Sequence, residues 1–291
     1  METKEIIRQV KRIEITTRHL VDTLIAGKYH SVFKGRGLEF SELREYQPGD
    51  DIRAIDWKVT ARFNHPFVKV FTEERDLRVY FAFDFSGSSQ FGDMVAKKRK
   101  GIEIAATLMF SAIRNNDNVG LVVFTDRVER FVPARKGRKH VLKLISVLVT
   151  HQPSSTLTDL NTPLKFLASV VKKRSIIFII SDFRSIDFTK PLQVLRGKHD
   201  IIAIRVYDRR EIELPDVGLI QLEDEETGEQ ILVNTSDEDF RERFKAIVER
   251  ENQRLRQMLR RLRIDLLEVA TDEPYEVPLK RFFKKREVLY R

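Results

Sequence analysis

Residues 79–92 read VYFAFDFSGSSQFG, and the rest of the chain is organised around this stretch. Five apolar residues open it, in a run that is typical of a buried strand. The run ends at Asp84, and the hydroxyl residues Ser86 and Ser88 follow on the same short loop. Gly87 permits a tight turn between the two serines. Because open α/β sheets bind ligands beyond the carboxyl ends of their central strands, this loop is a candidate ligand site.

Strands and helices alternate along the chain beyond Asp84. The predicted strands that follow are short apolar runs at 119–124, 175–180 and 200–206. Another strand, at 127–132, is predicted to pair with the strand at 119–124 as a hairpin. The predicted helices have apolar residues at helical spacing, at 93–114, 138–149, 160–173 and 191–196. This β-α-β order predicts an α/β fold with a doubly wound, mostly parallel sheet and helices on both faces.

The two ends of the chain follow other patterns. Apolar residues at helical spacing predict one or two amphipathic helices at 3–26. Strands are predicted at 67–72 and 78–83, with a polar turn between them. Beyond Arg209 the predicted elements are a hairpin, a long helix, a strand and a last helix, at 218–233, 236–263, 264–269 and 279–291. Ser236 with Asp239 resembles a helix-start arrangement, so the long helix is predicted to begin there.

The segment at 34–57, KGRGLEFSELREYQPGDDIRAIDW, interleaves charged and aromatic residues around the only tryptophan of the chain. Opposite charges so close in sequence tend to satisfy one another. They are therefore predicted to form an ion-pair network, with Tyr46 and Trp57 packed beneath it. The members of this network are Glu39, Arg44, Asp50, Asp51, Arg53 and Asp56. The alternative is that the arginines of this segment face an acidic partner.

The composition excludes several classes of protein. The 291 residues include no cysteine, so disulfides, thiolate catalysis, zinc fingers and iron–sulfur clusters are excluded. Lys and Arg number 53 against 44 acidic residues, and the formal charge of +9 favours a partner with an acidic surface. The charged N-terminus lacks a signal-like apolar segment, and no apolar run is long enough to span a bilayer. A cytoplasmic location is predicted, with peripheral attachment to a membrane complex as the alternative.

Two further loops carry oxygen donors next to predicted strands or helices. Thr158 precedes the helix that starts at 160, and Asp182 follows the strand at 175–180. The predicted metal-ligand set combines five residues: Asp84, Ser86, Ser88, Thr158 and Asp182. Such oxygen donors suit a hard cation, and water would complete an octahedral Mg²⁺ shell. The alternative is that the hydroxyls only cap the helices that follow.

The same five residues resemble the metal-ion-dependent adhesion site of von Willebrand factor A domains, over about residues 75–210. In the segment at 34–57, GRGLEF followed by REYQPGDDIRAIDW resembles the conserved segment of the DUF58 family. Members of that family are bacterial proteins with an A-type domain, usually paired with a MoxR-type AAA+ ATPase. The loop at 154–157 departs from the adhesion-site pattern, because many relatives have glycines there. Ser155 and Thr156 are therefore alternative ligands to Thr158.

The resemblance implies a site for binding and not for turnover. The direct ligands would be the hydroxyls of Ser86, Ser88 and Thr158, whereas both carboxylates would act largely through water. The cation would be Mg²⁺, with Mn²⁺ or Ca²⁺ as alternatives, and an acidic side chain of a protein partner would take its open position. The chain would be a non-enzymatic adaptor for the ATPase in the assembly or maturation of protein complexes. Its predicted parts are an N-terminal extension with the DUF58 segment, an A-type domain and a C-terminal addition, at 1–75, 76–210 and 211–291.

Enzymatic and nucleic-acid-binding functions are the rivals. Ser86 stands where a phosphotransferase of the haloacid dehalogenase kind needs a second Asp, and neither a phosphate loop nor Gly-x-Ser-x-Gly is present. We therefore predict no catalytic residue and keep a metal-assisted hydrolase of phosphoesters or peptides as the alternative. Residues 241–263 carry nine basic residues against three acids. Their apolar stripe indicates a core-facing helix with a solvated basic face, which disfavours nucleic-acid binding.

Overall fold

The computed structural model describes residues 3–21, 39–72, 77–86, 94–185, 187–223 and 228–289. Its helices, numbered along the chain, are α1 (Thr3–Leu20), α2 (Trp57–Phe63), α3 (Met94–Arg114), α4 (Arg138–Thr150), α5 (Asn161–Val170), α6 (Thr189–Lys198), α7 (Glu238–Arg261) and α8 (Glu276–Leu289). Its strands are β1 (Glu39–Glu45), β2 (Phe67–Thr72), β3 (Arg78–Asp84), β4 (Asn118–Phe124), β5 (Val128–Arg135), β6 (Ile176–Ile180), β7 (Asp200–Tyr207), β8 (Leu219–Glu223), β9 (Gln230–Asn234) and β10 (Asp265–Ala270). Among the described helices, none combines the length and the apolar composition that crossing a membrane requires.

Contacts divide the chain into two units, Phe33–Asp76 and the combination of Met1–Val32 with Leu77–Arg291. The smaller unit is built on the antiparallel strands β1 and β2. Of the predicted charge network, Arg44 and Asp50 pair through two hydrogen bonds of 2.7 and 2.6 Å. Asp56 caps α2 by accepting from backbone N–H groups of its first turn. This cap places Trp57 at the first helical position, where it is 66% exposed, so the prediction that Trp57 is packed beneath the charges is wrong.

Six strands form the central sheet of the larger unit, in the order β10-β7-β6-β3-β4-β5. β5 runs antiparallel to β4, and all other neighbouring strands in this sheet are parallel. The chain moves outward from β3 to β5 and then returns to the other side of β3 to form β6. The strand order therefore reverses between β3 and β6. This is the doubly wound, mostly parallel, von Willebrand factor A-like sheet that was predicted, and the fold class is confirmed.

Successive side chains of each strand point to opposite sides of the sheet, so the sheet has two faces to cover. Helices cover both of them. Tyr80 and Ala82 of β3 join a buried cluster with leucines of α5, α6 and the end of α7. On the other side, the ring of Phe83 lies against Gly101 of α3. Helices α1, α3 and α4 pack against one another. The predicted helices on both faces are therefore confirmed.

A glycine in the middle of β4 offers a test of this packing. A Cβ atom added at Gly120 would lie 2.5 Å from the ring of Tyr80 and 3.0 Å from the backbone N of Ala134. We expect Gly120→Ala to lower the free energy of unfolding by about 1–3 kcal/mol, because the ring or β5 must move. Gly197→Ala in α6 is the matched control, since its added Cβ meets no atom within 4 Å. That variant should gain about 0.5 kcal/mol in chemical denaturation, and equal losses at both positions would contradict the packing.

The start of α7 differs from the prediction. Asp237 is the N-cap residue, and its carboxylate accepts from the backbone N–H of Phe240 at 3.1 Å. The hydroxyl of Ser236 instead donates to Asp216 at 2.8 Å. The predicted start at Ser236 and Asp239 is therefore wrong by one residue, because a neighbouring carboxylate competes for the same backbone donors.

Candidate metal site

The candidate site lies where the strand order of the central sheet reverses. β3 and β6 are parallel neighbours, so their carboxyl ends open toward the same edge. The loop after β3 carries Ser86, and the loop after β6 carries Ser181 and Asp182. In doubly wound sheets, ligands bind in the crevice outside such a switch point. The fold thus brings two of the three predicted ligand loops together at the position where a ligand is expected.

Asp84, the last residue of β3, is held by serine donors. Its Oδ1 accepts from the backbone N–H of Ser86 at 2.9 Å and from the Ser86 hydroxyl at 2.6 Å. Its Oδ2 accepts from the Ser181 hydroxyl at 2.6 Å, and both serines are buried. A hydroxyl that donates its proton to a carboxylate retains acceptor capacity. Asp84 therefore orients the Ser86 oxygen in a way that suits coordination of a cation.

Asp182 contributes a second buried carboxylate to the site. The residue is 4% exposed, and its Oδ1 accepts from the backbone N–H of Arg184 at 3.1 Å. Its Oδ2 is buried and has no hydrogen-bond partner within the part of the chain that the structure describes. Leaving such an acceptor unsatisfied costs about 1–3 kcal/mol or more. A cation, or a water molecule bound to one, would satisfy this oxygen.

The two carboxylates of the site also repel one another. Burial, together with the neighbouring charge of Asp182, raises the pKa of Asp84 to about 7, although hydrogen bonds from Ser181 and Ser86 oppose the shift. A nearby cation would favour the charged form of both carboxylates. Oxygen donors of this kind suit a hard ion such as Mg²⁺. The residues present therefore fit the divalent cation that the sequence predicts.

Thr158 lies in the third predicted ligand loop, and the end of this loop is fixed at the same edge of the sheet. The backbone N–H of Asp159 donates to the carbonyl of Thr125, directly after β4, at 3.3 Å. The backbone N–H of Leu160 donates to the hydroxyl of Ser185, in the loop after β6, at 3.2 Å. Thr158 is half-buried and stands next to these two anchors. Its loop therefore spans the ends of the strands that flank β3.

The beginning of the same loop is fixed by residues that sequence reasoning missed. Glu129 on β5 lies 2.5 Å from Nε2 of His151 and accepts from the backbone N–H and the hydroxyl of Ser154, both at 2.9 Å. Thr125 donates to the same carboxylate at 2.9 Å. Ser155, the alternative ligand, accepts from a backbone N–H within the loop at 3.2 Å. A single acid and a single histidine have no spacing pattern, so nothing in the sequence connects them.

The structure brings together Asp84, Ser86 and Asp182, and it places Thr158 in a loop anchored at the same edge. Ser88 lies outside the described residues. Within the described ranges, no group of three or more His, Cys, Asp or Glu side chains gathers in a way that could hold a metal. That finding is compatible with a site whose direct ligands are hydroxyl oxygens. The full five-residue set remains a prediction.

A buried ion pair beside the site was also missed. Nζ of Lys97 on α3 lies 2.5 Å from Oε1 of Glu211, and the side chains are 3% and 1% exposed. Arg184 approaches the other oxygen of Glu211 at 3.5 Å. Lys97 shares the lining of a cavity of about 30 Å³ with Asp84 and Asp182, which is room for a water-sized molecule. Glu211 thus supplies a counter-charge for Lys97, and Lys98 lines the same cavity beside the two aspartates.

Solved structures that are similar to this chain include two proteins from different sources. The first is the conserved hypothetical protein BatB from Bacteroides thetaiotaomicron, at 14% identity and a TM-score of 0.45, covering 72% of this chain and 98% of that one. The second is proximal thread matrix protein 1 from the mussel byssus with a zinc-occupied MIDAS motif, at 20% identity and a TM-score of 0.36. That match covers 46% of this chain and 39% of the other. Matches with TM-scores this low do not indicate what this chain binds.

Sequence relatives are much closer. The chain is 31% identical over 281 residues to Uncharacterized protein Rv1480 of Mycobacterium tuberculosis, which covers 95% of this chain and 88% of the relative. Residues 42–254 match the family described as Protein of unknown function DUF58. The matched range includes most of the charged segment at 34–57 and all three predicted ligand loops. The chain is therefore a member of the DUF58 family.

Proposed function

We propose that this protein is a non-enzymatic adaptor that binds a protein partner through a divalent cation. The cation would be held by five residues: Asp84, Ser86, Ser88, Thr158 and Asp182. Mg²⁺ is the proposed ion, and Mn²⁺ or Ca²⁺ would suit the same oxygen donors. The adaptor would work with a MoxR-type AAA+ ATPase in the assembly or maturation of protein complexes. Its binding domain would be the part at 76–210.

The observation that supports this proposal most directly is that two buried aspartates at one switch point differ in their hydrogen bonding. Asp84 is fully engaged in orienting serine hydroxyls, whereas Asp182 presents an oxygen with no partner among the described residues. If hydroxyl and water oxygens coordinate the ion directly, and the carboxylates only hydrogen-bond to those ligands, the ion has few charged ligands. Such an ion stays electrophilic and accepts a carboxylate from another molecule. This chemistry serves docking of an acidic partner.

The class of partner is proposed on two grounds. The segment at 34–57 resembles the one found in DUF58 proteins that are paired with MoxR-type ATPases, and the chain belongs to that family. The formal charge of +9 favours an acidic surface on the partner. An acidic side chain of that partner would complete the coordination of the cation.

Binding of the host's own MoxR-type ATPase to the purified chain tests this proposal. We expect the immobilised chain to retain the ATPase in Mg²⁺ buffer, and Ser86→Ala to bind it at least about tenfold more weakly in the same buffer. The variant is a cleaner comparison than chelation, because EDTA would also remove Mg²⁺ from the nucleotide of the ATPase. Ser169→Ala, at an exposed serine near the end of α5, is the matched control and should retain binding.

Two results would contradict the proposal. Equal retention of the ATPase by the unmodified chain and by Ser86→Ala would remove the cation from the interaction. Hydrolysis of a phosphoester or peptide by the purified chain alone, if it depends on Mg²⁺ and on Ser86, would make the protein an enzyme. Both assays use the same preparations, so one set of variants decides between docking and catalysis.

A further inference from the structure

The outward face of α1 is both basic and apolar. Its exposed side chains include Lys4, Ile7, Arg8, Lys11, Arg12 and Ile15. Ile7 is 50% exposed and Ile15 is 73% exposed, although isoleucine is a residue that proteins usually bury. The opposite side of the helix includes the buried residues Val10 and Thr17, and α1 packs against α3 and α4. The outward isoleucines therefore take no part in the core.

Helix geometry places these six side chains on one arc. At about 100° per residue they fall within about 140° of the helix circumference, in the order Ile7, Lys11, Lys4, Ile15, Arg8 and Arg12. Within the described part of α1, no acidic residue lies in this arc. Glu5 flanks it and pairs with Arg8 at 3.2 Å, and Glu14 faces inward to pair with Arg138 at 2.6 Å. The arc thus combines four positive charges with two exposed isoleucines.

The combination fits an anionic bilayer surface better than a nucleic acid. Phosphate groups would pair with the four cations, but isoleucine side chains gain nothing from contact with phosphates. At a membrane interface, burial of Ile7 and Ile15 among acyl chains removes apolar surface from water. The long stems of Lys and Arg can follow the isoleucines inward while their charges stay among the headgroups. A fluid surface also requires no matching shape, which suits a face made of one regular helix.

We propose that α1 attaches this protein peripherally to membranes that contain anionic lipid. The helix would lie in the plane of the interface, with Ile7 and Ile15 toward the acyl chains. Exposed Lys139 and Lys143 on the neighbouring α4 add positive charge on the helix beside it. The attachment goes beyond the proposed adaptor function and does not depend on the cation at Asp84. It is electrostatic in large part and therefore reversible and sensitive to salt.

Co-sedimentation of the full chain with lipid vesicles tests the proposal. We expect binding to vesicles of phosphatidylcholine with about 30 mol% phosphatidylserine, and none to phosphatidylcholine alone. The double variant Lys11→Glu with Arg12→Glu should lower the partition coefficient at least about 25-fold, at about fivefold per lost charge. The double variant Ile7→Ser with Ile15→Ser keeps every charge and should lower it about tenfold.

The controls separate this surface from general charge and from the metal site. Lys284→Glu with Lys285→Glu makes the same charge change at exposed positions of α8, and it should keep binding within about twofold. Ser86→Ala should bind vesicles as the unmodified chain does, so failure of the adaptor proposal would leave this one standing. Circular dichroism and thermal unfolding check that each variant is folded. The variants in α1 and α8 should fold normally, because their changed side chains are exposed.

Three outcomes would overturn the proposal. One is equal binding to neutral and anionic vesicles, and another is an equal loss in the α8 control. The third is vesicle binding that either α1 double variant leaves unchanged. If a DNA duplex binds with dependence on Lys11 and Arg12, while the isoleucine variant changes neither duplex nor vesicle binding, the face is a nucleic-acid surface and the membrane proposal is wrong.

Discussion

Replacing Lys97 with methionine is expected to lower the free energy of unfolding by about 3–5 kcal/mol. Nζ of Lys97 lies 2.5 Å from Glu211, and both side chains are almost fully buried. Methionine fills much of the space of the lysine stem but leaves the carboxylate of Glu211 buried without its closest partner. Arg184 is 41% exposed and lies 3.5 Å from the same carboxylate, so it can replace part of the lost interaction. We therefore expect a value toward the lower end of the range.

A double-mutant cycle separates this ion pair from its surroundings. Glu211→Gln alone should also destabilise the protein, because it leaves the ammonium of Lys97 buried. The double variant Lys97→Met with Glu211→Gln should lose clearly less than the sum of the two single losses, since no uncompensated charge remains. Chemical denaturation gives all three values, and Lys143→Met at an exposed site should stay within about 0.5 kcal/mol. Strictly additive losses would show that the pair itself does not stabilise the fold.

The central sheet could be predicted because its local signals agree with one another. The apolar runs of β3 and β6 are long enough to read as strands and are buried as expected, at 79–83 and 176–180. Each run is followed by a polar loop and a segment of helical spacing, which leaves a doubly wound topology as the simplest arrangement. The same order predicts that loops after β3 and β6 share one edge. That is why Ser86 and Asp182 could be grouped before their geometry was known.

The contacts that give the site its chemistry could not be predicted in the same way. Lys97 and Glu211 are 114 residues apart, and Glu129 is 22 residues from His151, so no spacing rule connects either pair. Ser181 stands next to Asp182 in the sequence, but its bond to Asp84 depends on how two strands pair. Such contacts are set by tertiary packing, which overrides local pattern.

Long amphipathic helices show a similar limit. The apolar stripe of α7 predicts a core-facing side, and Val248 and Leu259 on this helix are buried, yet Ile247 is 56% exposed. The pattern of α1 correctly predicts a helix, but the spacing of its buried apolar residues does not reveal the two isoleucines on the other side. Periodicity identifies which face is most apolar. It does not say whether the remaining apolar residues face solvent or another surface.

Asp84→Asn is expected to change cation binding and metal-free stability in opposite directions. Burial and Asp182 raise the pKa of Asp84 from its usual 3.8 to about 7. The metal-free protein therefore loses stability as the pH rises from about 4 to about 7, because the unfolded chain releases this proton first. Asparagine removes the buried charge, keeps an oxygen to accept from Ser86, and can donate to the hydroxyl of Ser181. At pH 8 in EDTA, the variant should thus unfold at a higher temperature than the unmodified chain.

Addition of Mg²⁺ should reverse that order. The unmodified chain should gain about 2.7 kcal/mol when free Mg²⁺ reaches about 100 times its dissociation constant, whereas the variant should gain little, because the carboxylate that supports the cation is gone. Thermal unfolding in EDTA and in Mg²⁺ measures both effects, and Asp187→Asn, at an exposed carboxylate in the loop after β6, should behave as the unmodified chain does. An equal gain with Mg²⁺ in Asp84→Asn would place the cation elsewhere. A lower stability of Asp84→Asn in EDTA would mean that the hydrogen bonds of Asp84 stabilise the fold more than the burial of its charge destabilises it. The metal-free site would then carry no energetic cost that a cation could relieve.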